Sequence, residues 1–266
     1  MNAPADILTV SGLSVRLGGR TVVDGVDLAI KPGELVVVVG PNGAGKTTLL
    51  KAVAGLLTAR GAIAIEDTPL SRLSLAERAR RVAYLPQGHV FHWPLAVEDI
   101  VALGRLPRGA GADLSDVDRA AVMRAMADTG VTDYAGRPVT TLSGGERARV
   151  ALARVLATEA RLLLADEPTA SLDPRYQLIV LDILRRHADN GGAVVAVLHD
   201  LGLAARHADR IVVLDQGRIV ADGAPRDVLT KPLLAKTFGV NAQIVTLVDA
   251  PVVIPWTVTQ IDPPTP

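Results

Sequence analysis

The chain has 266 residues, 49% of them hydrophobic, which is enough for one large domain or for a domain with a subdomain. Lysine plus arginine equals aspartate plus glutamate at 28 each, so the balanced charge gives no general attraction to nucleic acid. The absence of cysteine excludes disulfides and suits a reducing compartment.

Neither the amino terminus nor the hydropathy pattern indicates a membrane segment. Residues 1–6 lack the basic region and the apolar stretch of a signal peptide. No apolar run approaches the roughly 20 residues that a spanning helix needs. We therefore expect any role at a membrane to come through a partner protein.

The first predicted elements are strands. Apolar and polar residues alternate loosely over residues 8–30, and turns are expected at Gly18–Gly19 and Asp24–Gly25, which predicts antiparallel strands. The apolar run Leu35–Val39, rich in valine, is typical of a strand buried on both faces. A helix is expected to follow from Lys46 to about Leu57.

The middle of the chain is predicted to be mainly helical. Helical patterns are expected in three segments: Leu75–Arg81, Val97 to about Asp133 with a break at Pro107–Gly111, and Ser143–Thr158. A short strand is expected at Val82–Leu85. We interpret residues from about 88 to 150 as a helical subdomain inserted into an α/β core.

The second half alternates between strands and helices. The expected order is strand Leu162–Ala165, helix Arg175–His187, strand Val194–Leu198, helix Leu201–Ala208, and a hairpin of Ile211–Leu214 with Arg218–Ala221. The alternation predicts a parallel sheet. Beyond Thr230 the pattern is less regular, and we expect Asp262–Pro266 to be frayed.

A glycine-rich segment lies between the strand Leu35–Val39 and the helix after it. Its residues are Gly40, Pro41, Asn42, Gly43, Ala44, Gly45, Lys46 and Thr47. They match the phosphate-loop pattern G-x-x-x-x-G-K-[ST] in the strand–loop–helix setting that the pattern requires, which disfavours a simple connecting turn. Backbone N–H groups and the helix N-terminus can then bind phosphate. We expect Lys46 to reach the β- and γ-phosphates and the Thr47 hydroxyl to ligate Mg²⁺.

Two acidic residues follow the strand Leu162–Ala165. We expect Asp166 to hold Mg²⁺ and Glu167 to orient and polarise an attacking water. Two solvated acids at a strand end are the alternative, which the buried strand and the phosphate loop disfavour. His199 ends another predicted strand, and ligands bind beyond the carboxyl ends of parallel strands, so His199 can reach a γ-phosphate.

The segment Leu142–Glu146 reads LSGGE and opens a predicted helix. Ser143 and Glu146 form a capping-box pattern, which is a purely structural interpretation. That interpretation leaves Gly144 and Gly145 unexplained, since each glycine costs a helix about 1 kcal/mol. Bare glycines allow a phosphate to approach a helix N-terminus closely, so we interpret the segment as a second phosphate-contacting element.

Taken together, the motifs resemble the ATP-binding subunits of ABC transporters. Their order is the phosphate loop, Gln87, Leu142–Glu146, Asp166–Glu167, Ser171–Leu172–Asp173 and His199, and the resemblance covers nearly the whole chain. It implies an α/β fold: a P-loop NTPase core with a parallel sheet, an N-terminal antiparallel β-subdomain and the inserted α-helical subdomain. It also implies an ATP-binding domain at residues 1–240 and a carboxyl-terminal extension at 241–266.

The same resemblance implies a head-to-tail pair of subunits. ATP on the Gly40–Thr48 loop of one subunit, with Thr48 included, would be closed over by Ser143, Gly144 and Gly145 of the other, within the signature that ends at Glu146. Asp173, whose alternative role is to cap a helix, would contact the partner's nucleotide site. Gln87 would reach toward Mg²⁺ and the water.

The partners and the location also follow from the resemblance. The cofactors are ATP and Mg²⁺, and the partners are a second copy, transmembrane permease subunits and, indirectly, a substrate-binding protein, with no nucleic acid. The chain would lie peripherally on the cytoplasmic face of the inner membrane. Phe91 and Trp93 would line the groove that receives a permease helix, although a local aromatic core is the alternative. His89 and His92 lie nearby, without the further ligands that would indicate a metal.

One residue departs from the family pattern. An aromatic residue that stacks on adenine is usual upstream of the phosphate loop, and Leu17 occupies the equivalent place here. The stacking contribution to base binding is therefore lost.

Two segments resemble the importers for iron chelates, haem and cobalamin. They are Val97–Pro107, with its Leu-Gly-Arg element, and Leu234–Val240, which is followed by the strand-like residues Gln243–Val248. Four alternatives remain: an importer for another metal or small solute, a soluble ABC ATPase of repair or translation, a non-hydrolysing switch, and another P-loop enzyme. The single unit without long coiled coils disfavours the second, the filled positions Glu167 and His199 disfavour the third, and Leu142–Glu146 disfavours the fourth.

Overall fold

A computed structural model describes residues 5–88, 91–111, 113–170, 172–247 and 250–259. The expectations for residues 1–4, His89, Ser171 and Asp262–Pro266 lie outside these ranges. Within them, no helix is long and apolar enough to cross a membrane.

The N-terminal part forms an antiparallel sheet of four strands in the order β2-β1-β4-β5. The strands are β1 (Leu8–Leu17), β2 (Arg20–Ile30), β4 (Arg60–Ile65) and β5 (Thr68–Pro69). The expected turn at Gly18–Gly19 joins β1 to β2. The second expected turn, at Asp24–Gly25, is wrong: these residues form a bulge inside β2, where Gly25 has a φ of 63° and the register slips.

The main sheet has six strands in the order β10-β9-β3-β8-β7-β6. They are β3 (Leu35–Val39), β6 (Val82–Leu85), β7 (Leu162–Asp166), β8 (Ala193–Val197), β9 (Arg210–Asp215) and β10 (Arg218–Gly223). All pairs are parallel except the hairpin β9–β10. Every residue of β3, β7 and β8 is buried, as the sequence of β3 predicts.

The described helices include those that cover the two faces of this sheet and those of a separate helical part. They are α1 (Lys46–Val53), α2 (Leu75–Arg81), α3 (Val97–Ala102), α4 (Asp116–Asp128), α5 (Gly144–Leu156), α6 (Pro174–Asp189), α7 (Leu201–His207), α8 (Pro225–Val228) and α9 (Lys231–Leu233). In the predicted helical region Val97–Asp133, α3 continues into a 3₁₀ segment, Leu103–Arg108, which Gly109 terminates, and α4 begins at Asp116. The helical path therefore ends within the expected break at Pro107–Gly111.

Helix α1 ends earlier than expected, at Val53 rather than near Leu57. Gly55 adopts a φ of 70°, its N–H donates to the carbonyl of Ala52, and the N–H of Leu56 donates to the carbonyl of Lys51. These are the two hydrogen bonds of a Schellman motif, which terminates a helix at glycine.

Helix α5 links the helical part to the sheet. Val150, Ala153 and Ala157 belong to a separate apolar cluster with α3 and α4, whereas Ala151 and Leu152 pack in the cluster on one face of the sheet. A third cluster fills the space between the antiparallel sheet, α1 and the other face. The segment Leu142–Glu146, at the start of α5, is thereby fixed to both parts of the molecule.

The carboxyl-terminal region is more regular than the sequence suggested. Val240–Leu247 (β11) and Ala250–Val258 (β12) form a two-stranded antiparallel sheet. Ala242 and Val253 join the apolar cluster that also contains Ala204 of α7. The described part of residues 241–266 therefore packs against the main sheet's helices.

Candidate functional site

The phosphate loop owes its shape to its glycines. Gly40, Gly43 and Gly45 have φ values of 153°, 80° and 101°, which side chains rarely tolerate. A Cβ at Gly40 would overlap the carbonyl oxygen of Leu214, and one at Gly45 would lie 2.6 Å from the carbonyl oxygen of Val22. Packing against the strands β9 and β2 therefore requires glycine at these two positions of the loop.

The Lys46 side chain lies along this loop. It is buried, and its Nζ donates to the carbonyl oxygens of Gly40 at 2.7 Å and Pro41 at 2.9 Å. Burial lowers the pKa of the Lys46 ammonium, and the carboxylates of Glu167 and Asp166 oppose that effect. The ammonium is thus placed at the mouth of the loop, with acceptors that an incoming phosphate can replace.

A cavity of about 250 Å³ opens over the loop. Its lining residues are Val22, Asn42, Gly43, Ala44, Gly45, Lys46, Thr47, Thr48, Glu167 and His199. Val22 is a residue that sequence reasoning missed, although it follows the β1–β2 turn. Leu17, 42% exposed on that turn, is not among the lining residues.

Asp166 is fully buried at the end of β7 and is held by two hydroxyl groups. Thr47 Oγ1 donates to its Oδ1 at 3.0 Å, and the Tyr84 hydroxyl donates to its Oδ2 at 3.2 Å. Burial raises the pKa of the Asp166 carboxyl, and these two hydrogen bonds oppose the rise. Tyr84 was not predicted. Its position on β6, directly beside β7, is what brings it to Asp166.

The Glu167 carboxylate contacts one residue beyond the end of each neighbouring strand. Its Oε1 lies 2.6 Å from Nε2 of His199, and its Oε2 accepts from Nε2 of Gln87 at 2.6 Å. Gln87 follows β6, Glu167 follows β7 and His199 follows β8, so neighbouring parallel strands deliver all three. The left-handed φ of Glu167, 52°, marks a constrained backbone at this point.

The donor set beside the phosphate loop fits Mg²⁺. The Thr47 hydroxyl and the Asp166 carboxylate are hard oxygen donors that converge within 3.0 Å. Gln87 is hydrogen-bonded to Glu167 rather than to either of them. Among the described residues, no group of three His, Cys, Asp or Glu side chains could hold a metal ion, so a transition-metal centre has no candidate there.

The segment Ser143–Glu146 forms the capping box that the structural interpretation expects. Ser143 Oγ accepts from the N–H of Glu146 at 3.3 Å, and a Glu146 carboxylate oxygen accepts from the N–H of Ser143 at 2.7 Å. The two glycines are not needed for this arrangement. A Cβ at Gly144 would meet nothing within 4 Å, and one at Gly145 would be in ordinary contact with Tyr176 at 3.5 Å.

The structure does not bring this segment to the phosphate loop of the same chain. The described residues that line the cavity over the loop include neither Ser143–Glu146 nor Asp173. Asp173 caps α6, where its carboxylate accepts from the N–H of Tyr176 at 3.1 Å and Pro174 takes the first helical position.

The two aromatic residues after Gln87 have different surroundings. Phe91 is half-buried and packs against two apolar clusters, as the local-core alternative expects. Trp93 is 75% exposed, which that alternative does not explain. His92 is exposed.

The family match and similar curated proteins all point to the same protein family. Residues 23–170, more than half of the chain, match the family described as ABC transporter. The chain is 52% identical to the hemin import ATP-binding protein HmuV of Streptomyces coelicolor over 89% of this chain and 85% of that protein. It is 46% identical to the cobalamin import ATP-binding protein BtuD of Halobacterium salinarum, over 89% of this chain and 60% of that protein.

Solved structures agree with the fold. One chain, from an ABC transporter assigned to the metal-chelate type in an inward-facing conformation, gives a TM-score of 0.80 at 25% identity and covers 94% of this chain and 97% of that one. Another, an ATP-binding cassette solved as a dimer with ADP and phosphate after hydrolysis, gives a TM-score of 0.73 at 26% identity and covers 82% and 99%.

Proposed function

The chain belongs to the ABC transporter family and is the ATP-driven subunit of an importer, and on that premise we propose how its residues divide the reaction between two copies. One half of each reaction centre is the phosphate loop with Asp166, Glu167, Gln87 and His199. The other half is the segment Ser143–Glu146 with Asp173, supplied by the second copy. The division into residues 1–240, with helices inserted at about 88–150, and an extension at 241–266 belongs to the same proposal.

In the first half, the backbone N–H groups of the loop and Lys46 bind the phosphates of ATP. The Lys46 ammonium exchanges the carbonyl oxygens of Gly40 and Pro41 for phosphate oxygens. Thr47, Asp166 and, on closure, Gln87 would hold Mg²⁺, which neutralises charge on the transferred phosphoryl group. The Tyr84 hydroxyl keeps the Asp166 carboxylate in place through its second oxygen.

Glu167 orients the attacking water and accepts its proton. Gln87 and His199 hold the two oxygens of its carboxylate, so the carboxylate has a defined position at the end of β7 before a nucleotide binds. His199 is placed to contact the γ-phosphate, since it lines the same cavity as Lys46 and Thr47. These three residues therefore act as one unit around the water.

The observation that carries the proposal is that a Cβ would fit at both Gly144 and Gly145. Nothing in the described chain requires glycine at either position, yet both lie in the first turn of α5, where N–H groups are free to bind an anion. Ser143, Gly144 and Gly145 would contact the γ-phosphate of ATP on the second copy, with Glu146 fixing Ser143. Asp173 would approach the same nucleotide, and ATP would hold the two subunits together.

The exposed Trp93 supports a role in contacting a permease. Tryptophan is enriched at the centres of interfaces, and Trp93 lies after Gln87, which itself contacts Glu167. A permease segment bound at Trp93 would be connected to the Glu167 carboxylate through the chain segment that leads back to Gln87. This contact would keep the chain peripherally on the cytoplasmic face of the inner membrane, where a substrate-binding protein takes part only indirectly.

For the cargo, the proposal is haem, with cobalamin and iron chelates as the other candidates. It is supported by the curated haem and cobalamin importers among the relatives of this chain. A deletion strain should fail to grow on haemin as the sole iron source while growing on ferrous salt, and the wild-type chain should restore growth. Growth on haemin equal to the parent strain's would redirect the proposal to cobalamin or chelate uptake, to be measured with the same strain.

The two tryptophans give a matched pair for the permease contact. Trp93 and Trp256 are 75% and 73% exposed, and the chain has no others. Trp93→Ala should abolish haemin-dependent growth while the purified chain retains its ATPase activity, and Trp256→Ala should leave both unchanged. Equal effects of the two substitutions on growth would contradict the assigned role of Trp93.

A further inference from the structure

The first turns of α5 and α6 lie close to each other, beside the residues proposed to face the second copy. A Cβ at Gly145 would lie 3.5 Å from Cδ2 of Tyr176 and 3.8 Å from Cδ2 of Leu172. Tyr176 is in the first turn of α6, and its N–H donates to the Asp173 carboxylate. The ring therefore lies between the two helix starts.

The Arg149 guanidinium lies over the face of this ring. Arg149 follows Gly145 by one turn on α5, is 8% exposed, and places its guanidinium 4.9 Å from the centroid of the Tyr176 ring. The same guanidinium donates to the carbonyl oxygens of Thr129 at 3.2 Å and Gly130 at 2.6 Å, after the end of α4. A buried cation over an aromatic face is attracted to it more strongly than an exposed one.

We propose that Tyr176 is a positioning residue that fixes Ser143–Gly145 relative to Asp173, so that the two partner-facing segments form one preformed surface. The proposal rests on the proposed function, because it concerns what the second copy's nucleotide meets. An aromatic ring suits the position for two reasons. It is thin enough to lie against a glycine, and its face attracts the Arg149 guanidinium, which an aliphatic side chain cannot do.

The consequence is a smaller ordering cost when the dimer closes. Two independent segments would each have to be immobilised against the nucleotide, whereas a surface that is already ordered loses less conformational freedom. Among the described residues, those that line the cavity over the phosphate loop do not include Tyr176. Its loss should therefore weaken dimer closure without weakening the binding of ATP to a single chain.

The test compares Tyr176→Leu and Tyr176→Phe in the full chain carrying Glu167→Gln, which prevents hydrolysis. Sedimentation at saturating Mg-ATP gives the dimer dissociation constant, and titration with a fluorescent ATP analogue at low protein concentration gives binding to the monomer. Tyr176→Leu should weaken dimerisation about 10-fold, as expected for loss of a buried cation–π contact, with monomer binding changed less than about 2-fold. Tyr176→Phe, which keeps the ring, should match the parent.

Each outcome has a distinct meaning. Dimerisation of Tyr176→Leu equal to the parent's, or an equal loss in Tyr176→Phe, overturns the positioning role. Should Tyr176→Leu fail to fold in a thermal melt, Arg149→Met replaces it, because the substitution keeps an unbranched apolar side chain and removes the cation over the ring. Unchanged dimerisation then overturns the proposal. If the Glu167→Gln parent itself stays monomeric with ATP, the proposed function fails, and Tyr176 is not the cause.

Discussion

Glycines at the phosphate loop and at the start of α5 are present for different reasons. At the loop, Gly40 and Gly45 have positive φ values and no room for a side chain, because Leu214 and Val22 lie against them. At the start of α5, Gly144 and Gly145 have helical geometry and room for a side chain. Folding of the chain therefore requires glycine at Gly40 and Gly45, whereas it does not require glycine at Gly144 and Gly145.

This difference separates a requirement of folding from a requirement of function. Glycine in a helix lowers stability by about 1 kcal/mol relative to alanine, so unforced glycines need another explanation. The explanation we propose is the close approach of a second copy's nucleotide. Replacing glycine by alanine should then lower the free energy of unfolding in the phosphate loop and raise it at the start of α5, which experiment can test.

The largest effect is expected at Gly40. Gly40→Ala forces a Cβ into the Leu214 carbonyl, and we expect a loss of at least about 3 kcal/mol of unfolding free energy together with all ATP binding. Gly43→Ala is the matched control: its φ is also positive, but nothing lies within 4 Å, so it should cost only about 1–2 kcal/mol. Urea unfolding measures both. Equal stabilities of the two variants would contradict the claim that the Leu214 carbonyl excludes a side chain at Gly40.

The next effect tests the chemistry of the phosphate-loop half. Glu167→Gln should lower turnover about 1,000-fold, since it removes the group that accepts the proton of the water. ATP binding should persist, because Lys46 and the loop are untouched. The measurement is phosphate release alongside nucleotide titration. Full residual hydrolysis would remove Glu167 from its proposed role.

A smaller loss of turnover, with a gain in stability, is expected at Gly144. Gly144→Ala should raise the unfolding free energy by about 0.5–1 kcal/mol, because alanine favours the helix. The same change should lower ATPase activity about 100-fold by blocking the approach of the partner's phosphate. Thermal unfolding and phosphate release check the two parts. A more stable variant that is also fully active would show that the space at Gly144 has no function.

The smallest effect concerns the base of ATP. Leu17→Tyr should tighten ATP binding about two- to five-fold, by adding an aromatic face that can stack on adenine from the β1–β2 turn. A titration with ATP, with the same titration with triphosphate alone as control, isolates the base contribution. Equal or weaker affinity for ATP would place the base elsewhere, for instance against Val22, which lines the cavity.

The sequence was most informative where a short segment determines its own structure. The phosphate loop, the strand β3 and the capping box at Ser143 could all be predicted, because each has a short and distinctive residue pattern: spaced glycines, an apolar run and Ser-x-x-Glu. The position of the Asp166–Glu167 pair and His199 at one edge could also be anticipated, since each follows a strand of one parallel sheet. The contact of Gln87 with Glu167 depends on the strand order.

The sequence was least informative where the pairing of strands or the packing of helices decides the structure. Asp24–Gly25 has the composition of a turn, but continued pairing of β2 with β1 makes it a bulge. The contact of Tyr84 with Asp166 depends on β6 lying beside β7, and strand order is not visible in sequence spacing. The packing of Tyr176 between two helix starts depends in the same way on the tertiary arrangement of α5 and α6.

The central claim is that a single chain lacks a complete reaction centre. The direct measurement is ATPase activity per subunit over a dilution series of the wild-type chain at saturating Mg-ATP, with the fraction of dimer determined at each concentration by mass photometry. The account predicts that activity follows the dimer fraction and vanishes with it. An undiminished rate per subunit at concentrations where only monomers are present would contradict it.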